Sequence, residues 1–389
     1  MYPWRRPRAT EQLARVPYDV WLLMVHILAL VPKPLGLSPG QRARLEQWAP
    51  LLASTHGISV TFSVYESPRL TRVLYEPGLR ATKAILMLSD TMRRGAVLAQ
   101  ARECDAIVIF REASMLGPAV FERLLARSGK PIIFDFDDAI WVHRAGVNGW
   151  FTRLRFPGKT STICQLASAV VVSNSYLAGY AGRWNNNVRV IPSTVDLDLF
   201  RLQPPLKQES PFVIVWTGSA STLSHLETAR TAIERFGRMR KTVLRVICSR
   251  PPKRAFDGVD LQFVPWSAEG EATELGMSHV GIMPLPDDEY TRGKGGYKGL
   301  LYMAVGRPVV LSPVGVNVEI VQHGMNGMLA QTEDEWVGAL EQLADSSALR
   351  ARLAAAGRLS VQNGYSAAAG ASAFARVVNE VVEREPAVR

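Results

Sequence analysis

The sequence predicts an α/β protein made of two doubly wound parallel-sheet domains of similar size. Three observations carry this. Short β-branched apolar runs alternate along the chain with longer segments of helical periodicity, the pattern of parallel strands joined by crossover helices. The 389 residues correspond to about two to three average domains. The polar, proline-rich stretch Arg201-Leu-Gln-Pro-Pro-Leu-Lys-Gln-Glu-Ser-Pro211 reads as a linker. We therefore expect one domain over residues 1–204 and a second over 205–389, with the last helix a candidate to cross back to the first domain.

In the first half, strands are expected near 20–31, 58–64, 106–110, 131–136, 169–172 and 188–191, with helices between them, for example at 40–54 and 117–128. In the second half they are expected near 212–216, 243–248, 261–264, 279–283, 308–312 and 328–330. Helical patterns follow at 222–238, 296–305, 333–345 and 347–357. The first run needs separate justification, because Arg5, Arg6 and Arg8 precede it as they would a signal peptide. Val20–Val31 is shorter than the ~20 residues a bilayer-spanning helix needs. It contains His26 and leads into Val-Pro-Lys-Pro rather than a small-residue cleavage site. It reads as a buried strand, with His26 a satisfied core residue. No other stretch is a candidate to span, so a soluble or peripheral protein is expected.

Composition narrows the class. With 47% hydrophobic and 21% charged residues, the chain is neither disordered nor fibrous. Cys104, Cys164 and Cys248 are odd in number and far apart, which excludes a disulfide framework or a CxxC zinc site and points to a reducing compartment. The net charge of +10 is unevenly spread: residues 1–200 hold 24 Lys/Arg against 15 Asp/Glu, and the rest hold 21 against 20.

The segment richest in chemistry is Met283–Val310. A strand ends at Pro284, an acidic loop follows, and a glycine-rich turn (Gly293, Gly295, Gly296) opens a helix. Lys294 and Lys298 are four apart, so both can face one way at that helix start. With Arg292, the helix dipole and exposed backbone N–H groups, they form a candidate diphosphate cradle. A solvated basic turn is the competing reading. In a doubly wound pair, ligand would sit between the domains at the carboxyl ends of the strands.

Lys294-x3-Lys298-x3-Tyr302-Met-Ala-x-Gly-x-Pro-Val-Val, then Ser312-Pro-Val-Gly315-x-Asn317-x-Glu319 and His323-Gly-x-Asn326-Gly327, resembles the retaining glycosyltransferases of family 4, which have the two-domain GT-B fold. Ser173-Asn-Ser-Tyr-Leu177 and Val190-Ile-Pro-Ser-Thr-Val-Asp196 resemble that family's approach to the interdomain linker. Lys130-Pro-Ile-Ile-Phe-Asp-Phe-Asp-Asp-Ala-Ile-Trp141 resembles a bacterial polysaccharide-associated branch. The likeness runs from about residue 38 to 366, more specifically in the second half.

The resemblance implies a metal-independent hexosyltransferase of cell-surface polysaccharide or glycolipid synthesis. It uses no cofactor beyond its donor substrate, a nucleoside-diphosphate sugar. The second domain would hold that donor, and the first a glycan or lipid-linked acceptor. Carried onto this chain, Gly218, Ser219, Lys294 and Lys298 meet the donor phosphates, with Arg292, Gly315 and Asn317 in the same donor site and Glu319, near the sugar or phosphates, a catalytic candidate. The chain departs from the pattern where many relatives carry two glutamates eight residues apart, the second gripping the ribose; here Gly293 and Leu301 stand in those places. Leucine accepts no hydrogen bond. That departure keeps open a non-catalytic GT-B protein that binds glycan or a partner transferase.

Asp135-Phe-Asp137-Asp138 follows a strand, where carboxylates project into a cleft. Asp137 and Asp138 are candidates to orient the acceptor hydroxyl or take its proton. The alternative is structural, with Asp138 capping the next turn and Asp135 paired with Arg111. The spacing looks like a metal-binding DxD, but no His/Cys/Asp cluster has metal-ligand spacing, and no metal is expected. Gly36, Gly40 and Arg42 occupy the place of the family's acceptor loop, or form a plain turn. His143 is a weaker catalytic candidate; His225 and His323 follow turns.

Arg69, Arg72, Arg80, Lys83, Arg93 and Arg94 are interleaved with Leu70, Val73, Leu74, Tyr75, Leu79, Ile85 and Leu86. With the tail Trp4–Arg8 they read either as a surface for anionic lipid or as a solvated helix. The first reading places the protein in the cytoplasm, on the inner face of the membrane. Nucleic acid is not expected, since no zinc finger, helix-turn-helix or aromatic RNP-like strand is present. A Rossmann oxidoreductase lacks support because no GxGxxG follows the first strand. A sugar-nucleotide epimerase on the same fold is the remaining enzymatic rival.

Overall fold

The structure is a computed structural model and describes residues 24–74, 76, 78–142, 156, 158–206 and 211–384. Two six-stranded sheets, parallel throughout, lie one after the other in the chain. The first is formed by β1 (Val25–Val31), β2 (Ile58–Val64), β3 (Ala106–Phe110), β4 (Ile132–Phe136), β5 (Ala169–Val172) and β6 (Val188–Val190), in the order β2-β1-β3-β4-β5-β6. The second is formed by β7 (Phe212–Thr217), β8 (Thr242–Cys248), β9 (Asp260–Pro265), β10 (Val280–Met283), β11 (Val309–Leu311) and β12 (Met328–Leu329), in the order β12-β11-β10-β7-β8-β9. Central strands such as β3 and β4 are buried along their whole length, as uninterrupted apolar runs require when helices cover both faces.

Each sheet sits between two apolar layers. In the first sheet, alternate residues of β4 divide between them: Phe134 and Phe136 join one, and Ile133 joins the other with Leu45 and Trp48. That second layer is completed from the far end of the chain. Helix Ala367–Arg384 inserts Phe374, Val378 and Val381 into it, with Phe374 and Trp48 ring centroids 5.4 Å apart. The C-terminal helix therefore crosses back to the first sheet. Around the linker, Gln203 N donates to Val305 O at 3.1 Å and the buried Arg307 guanidinium donates to Pro204 O, so this stretch adheres to the second unit.

Several expectations need correcting. His26 is half-buried at the start of β1, its Nδ1 2.8 Å from the Ser59 hydroxyl, and is satisfied without being in the core. The helix expected at 117–128 shrinks to Val120–Ala126. The one expected at 222–238 begins as 3₁₀ turns over Ala220–Ala229 before α-helix Arg230–Met239. Residues 20–23, His143, Tyr75 and the tail Trp4–Arg8 lie outside the described residues. All three cysteines are buried and free. No described helix is long and apolar enough to cross a membrane.

Candidate active site

The carboxyl ends of both sheets face one interdomain cleft of about 390 Å³. From the first domain it takes Gly40 and Arg42 of the helical turns that follow β1, Arg111 at the end of β3, and Asp137 and Asp138 just past β4. From the second it takes Gly218 and Ser219 after β7, with Lys294, Lys298 and Leu301 around the start of helix Tyr297–Ala304.

The acidic pair is organised by one arginine. Arg111 Nε donates to Asp137 at 2.7 Å and Nη2 to Asp138 at 2.8 Å. Its backbone is left-handed, φ 62°, a conformation that costs about 1–3 kcal/mol in a non-glycine residue and marks an over-determined position. Burial would lower the Arg111 pKa, but Asp137 and Asp138 hold it above its ordinary value. The expected Arg111–Asp135 pair is not formed. Asp135 is fully buried on the other face of β4, where Arg44 Nε donates to it at 2.7 Å. The Asp138 side chain accepts from Arg111 and from Lys294. Gly40 is required here, because a Cβ would sit 1.8 Å from Asp137 Oδ2.

The two lysines have unlike surroundings. Lys294 Nζ bridges the domains, donating to Asp138 Oδ1 at 3.0 Å and to the Tyr290 hydroxyl at 3.1 Å. Burial would lower its pKa, but Asp138 and Tyr290 raise it overall. Lys298 Nζ lies over the Trp216 ring, 4.6 Å from its centroid, and donates to Thr222 Oγ1 at 3.3 Å, and no carboxylate among the described residues forms an ion pair with it. Burial, then repulsion from Lys294, pushes Lys298 down to about 7. An anion entering between them would gain two ammonium groups, and the turn at Gly218–Ser219 lies opposite.

The remaining sequence candidates fall elsewhere. Arg292 is half-exposed and paired with Asp287 at 2.6 Å, away from the cleft. Asn317 is buried and donates to Ser312 O at 2.9 Å. Gly315, φ 55°, packs where a Cβ would meet Arg292 O at 2.5 Å. Glu319 is exposed and accepts from the Ser175 hydroxyl of the first domain. Gly36 donates its N–H to Glu46 at 2.8 Å and does not line the cleft. His323 Nδ1 accepts from Leu329 N, closing a turn.

Sequence reasoning missed Glu271. It opens helix Glu271–Gly276 on the cleft wall and is 4% exposed. Its Oε1 accepts from Thr217 Oγ1 at 2.9 Å, while Oε2 accepts no hydrogen bond and faces Arg42 Nη2 at 3.8 Å. Arg42 in turn lies over the Trp266 ring at 4.9 Å. A glutamate at a helix start looks in sequence like a partner for the helix dipole, so nothing marked it. Gly293 is also explained: a Cβ there would sit 2.7 Å from both Ala139 N and Ala139 Cβ, so the turn touches the first domain where a longer side chain has no room. Among the described residues, no group of three or more His, Cys, Asp or Glu could hold a metal ion.

Comparison with known proteins agrees with this architecture. Residues 211–346 match the family model described as "Glycosyl transferases group 1". No curated protein matches the chain. Among solved structures, sucrose-phosphate synthase from Thermosynechococcus elongatus superposes with TM-score 0.69 at 16% identity, over 92% of this chain and 100% of that one. A glycosyltransferase from Rickettsia africae gives TM-score 0.65 at 13% identity, over 93% and 99%. HepE from Anabaena, solved in complex with UDP, gives 0.61 at 14% identity, over 92% and 100%. The chain has the GT-B fold, and its second domain matches the glycosyl transferases group 1 model.

Proposed function

We propose that the protein is a glycosyltransferase that moves a hexose-type sugar from a nucleoside-diphosphate sugar to a glycan or lipid-linked acceptor, with retention of configuration, at the cytoplasmic face of the membrane. One observation carries the reading: Lys294 and Lys298 converge on the cleft opposite Gly218 and Ser219, within the segment that matches the group 1 model. HepE, with the same fold, has been solved with UDP-glucose. The donor diphosphate takes the place between the lysines, and Asp138 gives up its bond to Lys294. As the sugar C1–O bond to the diphosphate breaks, the two ammonium groups stabilise the growing negative charge. The acceptor oxygen bonds to C1, and its proton passes to an oxygen of the leaving phosphate. Asp137 and Asp138, held in place by Arg111, accept a hydrogen bond from the acceptor hydroxyl and orient it.

The test is a thermal-shift panel with UDP, GDP, ADP and dTDP, with and without magnesium. A ligand at 100 times its Kd adds about 2.7 kcal/mol of stability. A selective, metal-insensitive shift is expected, followed by sugar transfer from the matching donor. Leu301, 2% exposed in the cleft wall where relatives hold ribose, favours a second reading, a GT-B protein that binds glycan without catalysis. No shift with any nucleotide would select it.

In place of a carboxylate at Leu301, Glu271 offers its Oε2 to donor hydroxyls or N–H groups. Glu271→Gln is expected to weaken nucleotide binding about tenfold, the loss of one charge-assisted hydrogen bond, while the Thr217 bond to the remaining oxygen preserves the fold. Titration calorimetry of both proteins with the selected nucleotide checks this.

A further inference from the structure

Helix Arg80–Arg94 is built inside out. The residues facing the first domain, at i, i+4, i+7 and i+11, are Lys83, Met87, Asp90 and Arg94, all 7% exposed or less. The opposite stripe at the same spacing is Ala81, Ile85, Leu88 and Met92; the last three are 67%, 58% and 73% exposed. A helix of a water-soluble surface normally turns its apolar stripe inward, so an exposed apolar row over a buried polar one is the informative arrangement.

The buried polar groups have a definite task. Arg94 donates to Ser63 O at 2.9 Å and to Val31 O at 3.2 Å, and Asp90 accepts from Ser67 N at 2.8 Å. They bolt the helix to the carboxyl ends of β1 and β2, the sheet end that faces the cleft. The loop after β1 exposes Leu35 and Leu37 at the same end, and Leu37 lines the cleft. Arg80 and Arg93 are exposed on the same helix, and Arg69 and Arg72 on the preceding helix Pro68–Leu74; Glu76 is the one exposed acid between residues 68 and 94 among those described.

We propose that Ile85, Leu88 and Met92 insert into the interfacial region of an anionic bilayer, with these arginines on the lipid headgroups. The charge pattern selects this occupant: a second copy pairing through the same stripe would bring arginines of like charge together, whereas acidic lipid complements them. The sequence-level surface is thereby redrawn, since Lys83 and Arg94 face the domain and Leu70 is buried. The link to catalysis rests on the proposed function: a membrane on this face would deliver a lipid-linked acceptor beside the acceptor wall of the cleft.

The test is flotation of the full chain with vesicles of phosphatidylcholine alone or mixed with phosphatidylglycerol in equal parts. Wild type is expected to float with the mixed vesicles at low salt, and not with the neutral ones. Ile85→Asp/Leu88→Asp should lower the bound fraction about tenfold or more; neutralising Arg69 and Arg72 should weaken binding and reduce its salt dependence. Both variants alter exposed positions, so thermal unfolding and the nucleotide-induced shift should match wild type. The proposal is overturned if wild type stays unbound, or if the Asp variant floats equally well. A dimer in sedimentation that Ile85→Asp/Leu88→Asp dissociates would overturn it too, by showing that a second copy covers the stripe. Because the nucleotide shift is read on the same samples, these failures are separable from failure of the glycosyltransferase reading.

Discussion

Replacing Arg44 by Met is expected to destabilise the protein by about 3–5 kcal/mol, the cost of leaving one member of a buried ion pair alone. Arg44 and Asp135 have no solvent exposure and are 2.7 Å apart. Arg44 also donates to Ile191 O at 2.6 Å and lies over the Trp48 ring at 4.9 Å. One side chain thus joins the turn Arg42–Glu46, strand β4 and the segment leading to the linker. Arg42, in the same turn, reaches the cleft, so loosening Arg44 also loosens a cleft wall.

The pH dependence has a definite sign. Burial pushes the Asp135 carboxyl up from 3.8 to about 6, against the pull of Arg44. The folded value lies above the unfolded one, so the ionised form costs stability at pH above 6. That cost is relieved as pH falls from about 6 towards 3.8. Without Arg44 the carboxyl rises further, so the deficit of the variant should be smaller at pH 5 than at pH 8. Denaturant unfolding at the two pH values checks this. Arg44→Met/Asp135→Leu should recover most of the loss, because replacing both partners removes the unpaired charge. Equal deficits at both pH values, with no recovery in the double variant, would mean that packing rather than charge is what Arg44 provides.

The same residues show what the sequence could and could not convey. Strands were legible because doubly covered parallel strands need unbroken apolar runs, and β3 and β5 are little else. The lysine pair was legible as two cations in a glycine-rich turn before a helix, although helical spacing is not what brings them together: Lys294 lies in the turn and only Lys298 is on helix Tyr297–Ala304. The partner of Asp135 was not. Its sequence neighbourhood offers Arg111, yet the pleat puts Asp135 on the face of Ile133, and that face is covered by Leu45 and Trp48, which bring with them Arg44 from 91 residues away. Proximity to Lys294 misled for Arg292 as well. The capping box of Asp288 and Thr291 opens a short helix, Glu289–Arg292, that turns Arg292 outward to Asp287. Helix Arg80–Arg94 is the subtler case. Its two stripes have the same spacing, so periodicity alone could not say which faced the domain; the backbone carbonyls at the ends of β1 and β2 decided for the polar one.

Lys298→Met is expected to lower kcat/KM for sugar transfer about 10²–10³-fold, the usual cost of removing one preorganised charge from a developing anion. Lys298 has the larger effect of the two lysines for a physical reason. Lys294 is already committed to Asp138 and Tyr290, so part of its interaction with a diphosphate is spent in exchanging partners. Lys298 has the Thr222 hydroxyl and the face of Trp216, and an arriving diphosphate supplies the counter-charge its surroundings lack. With its pKa pushed down to about 7 by burial and by Lys294, a large share of the empty protein carries a neutral Lys298 at pH 8. Diphosphate binding favours the ammonium form, so binding must take up a proton there. Affinity should be greatest below pH 7 and fall, by at most about tenfold per pH unit for one proton, as pH rises above it. Calorimetry of nucleoside diphosphate binding at pH 8, in two buffers of different ionisation enthalpy, should register proton uptake in the wild type and none in Lys298→Met. A variant that retains the uptake would move the titrating group elsewhere in the cleft. A wild type whose affinity is flat from pH 6 to 9 would mean that Lys298 is charged before the ligand arrives.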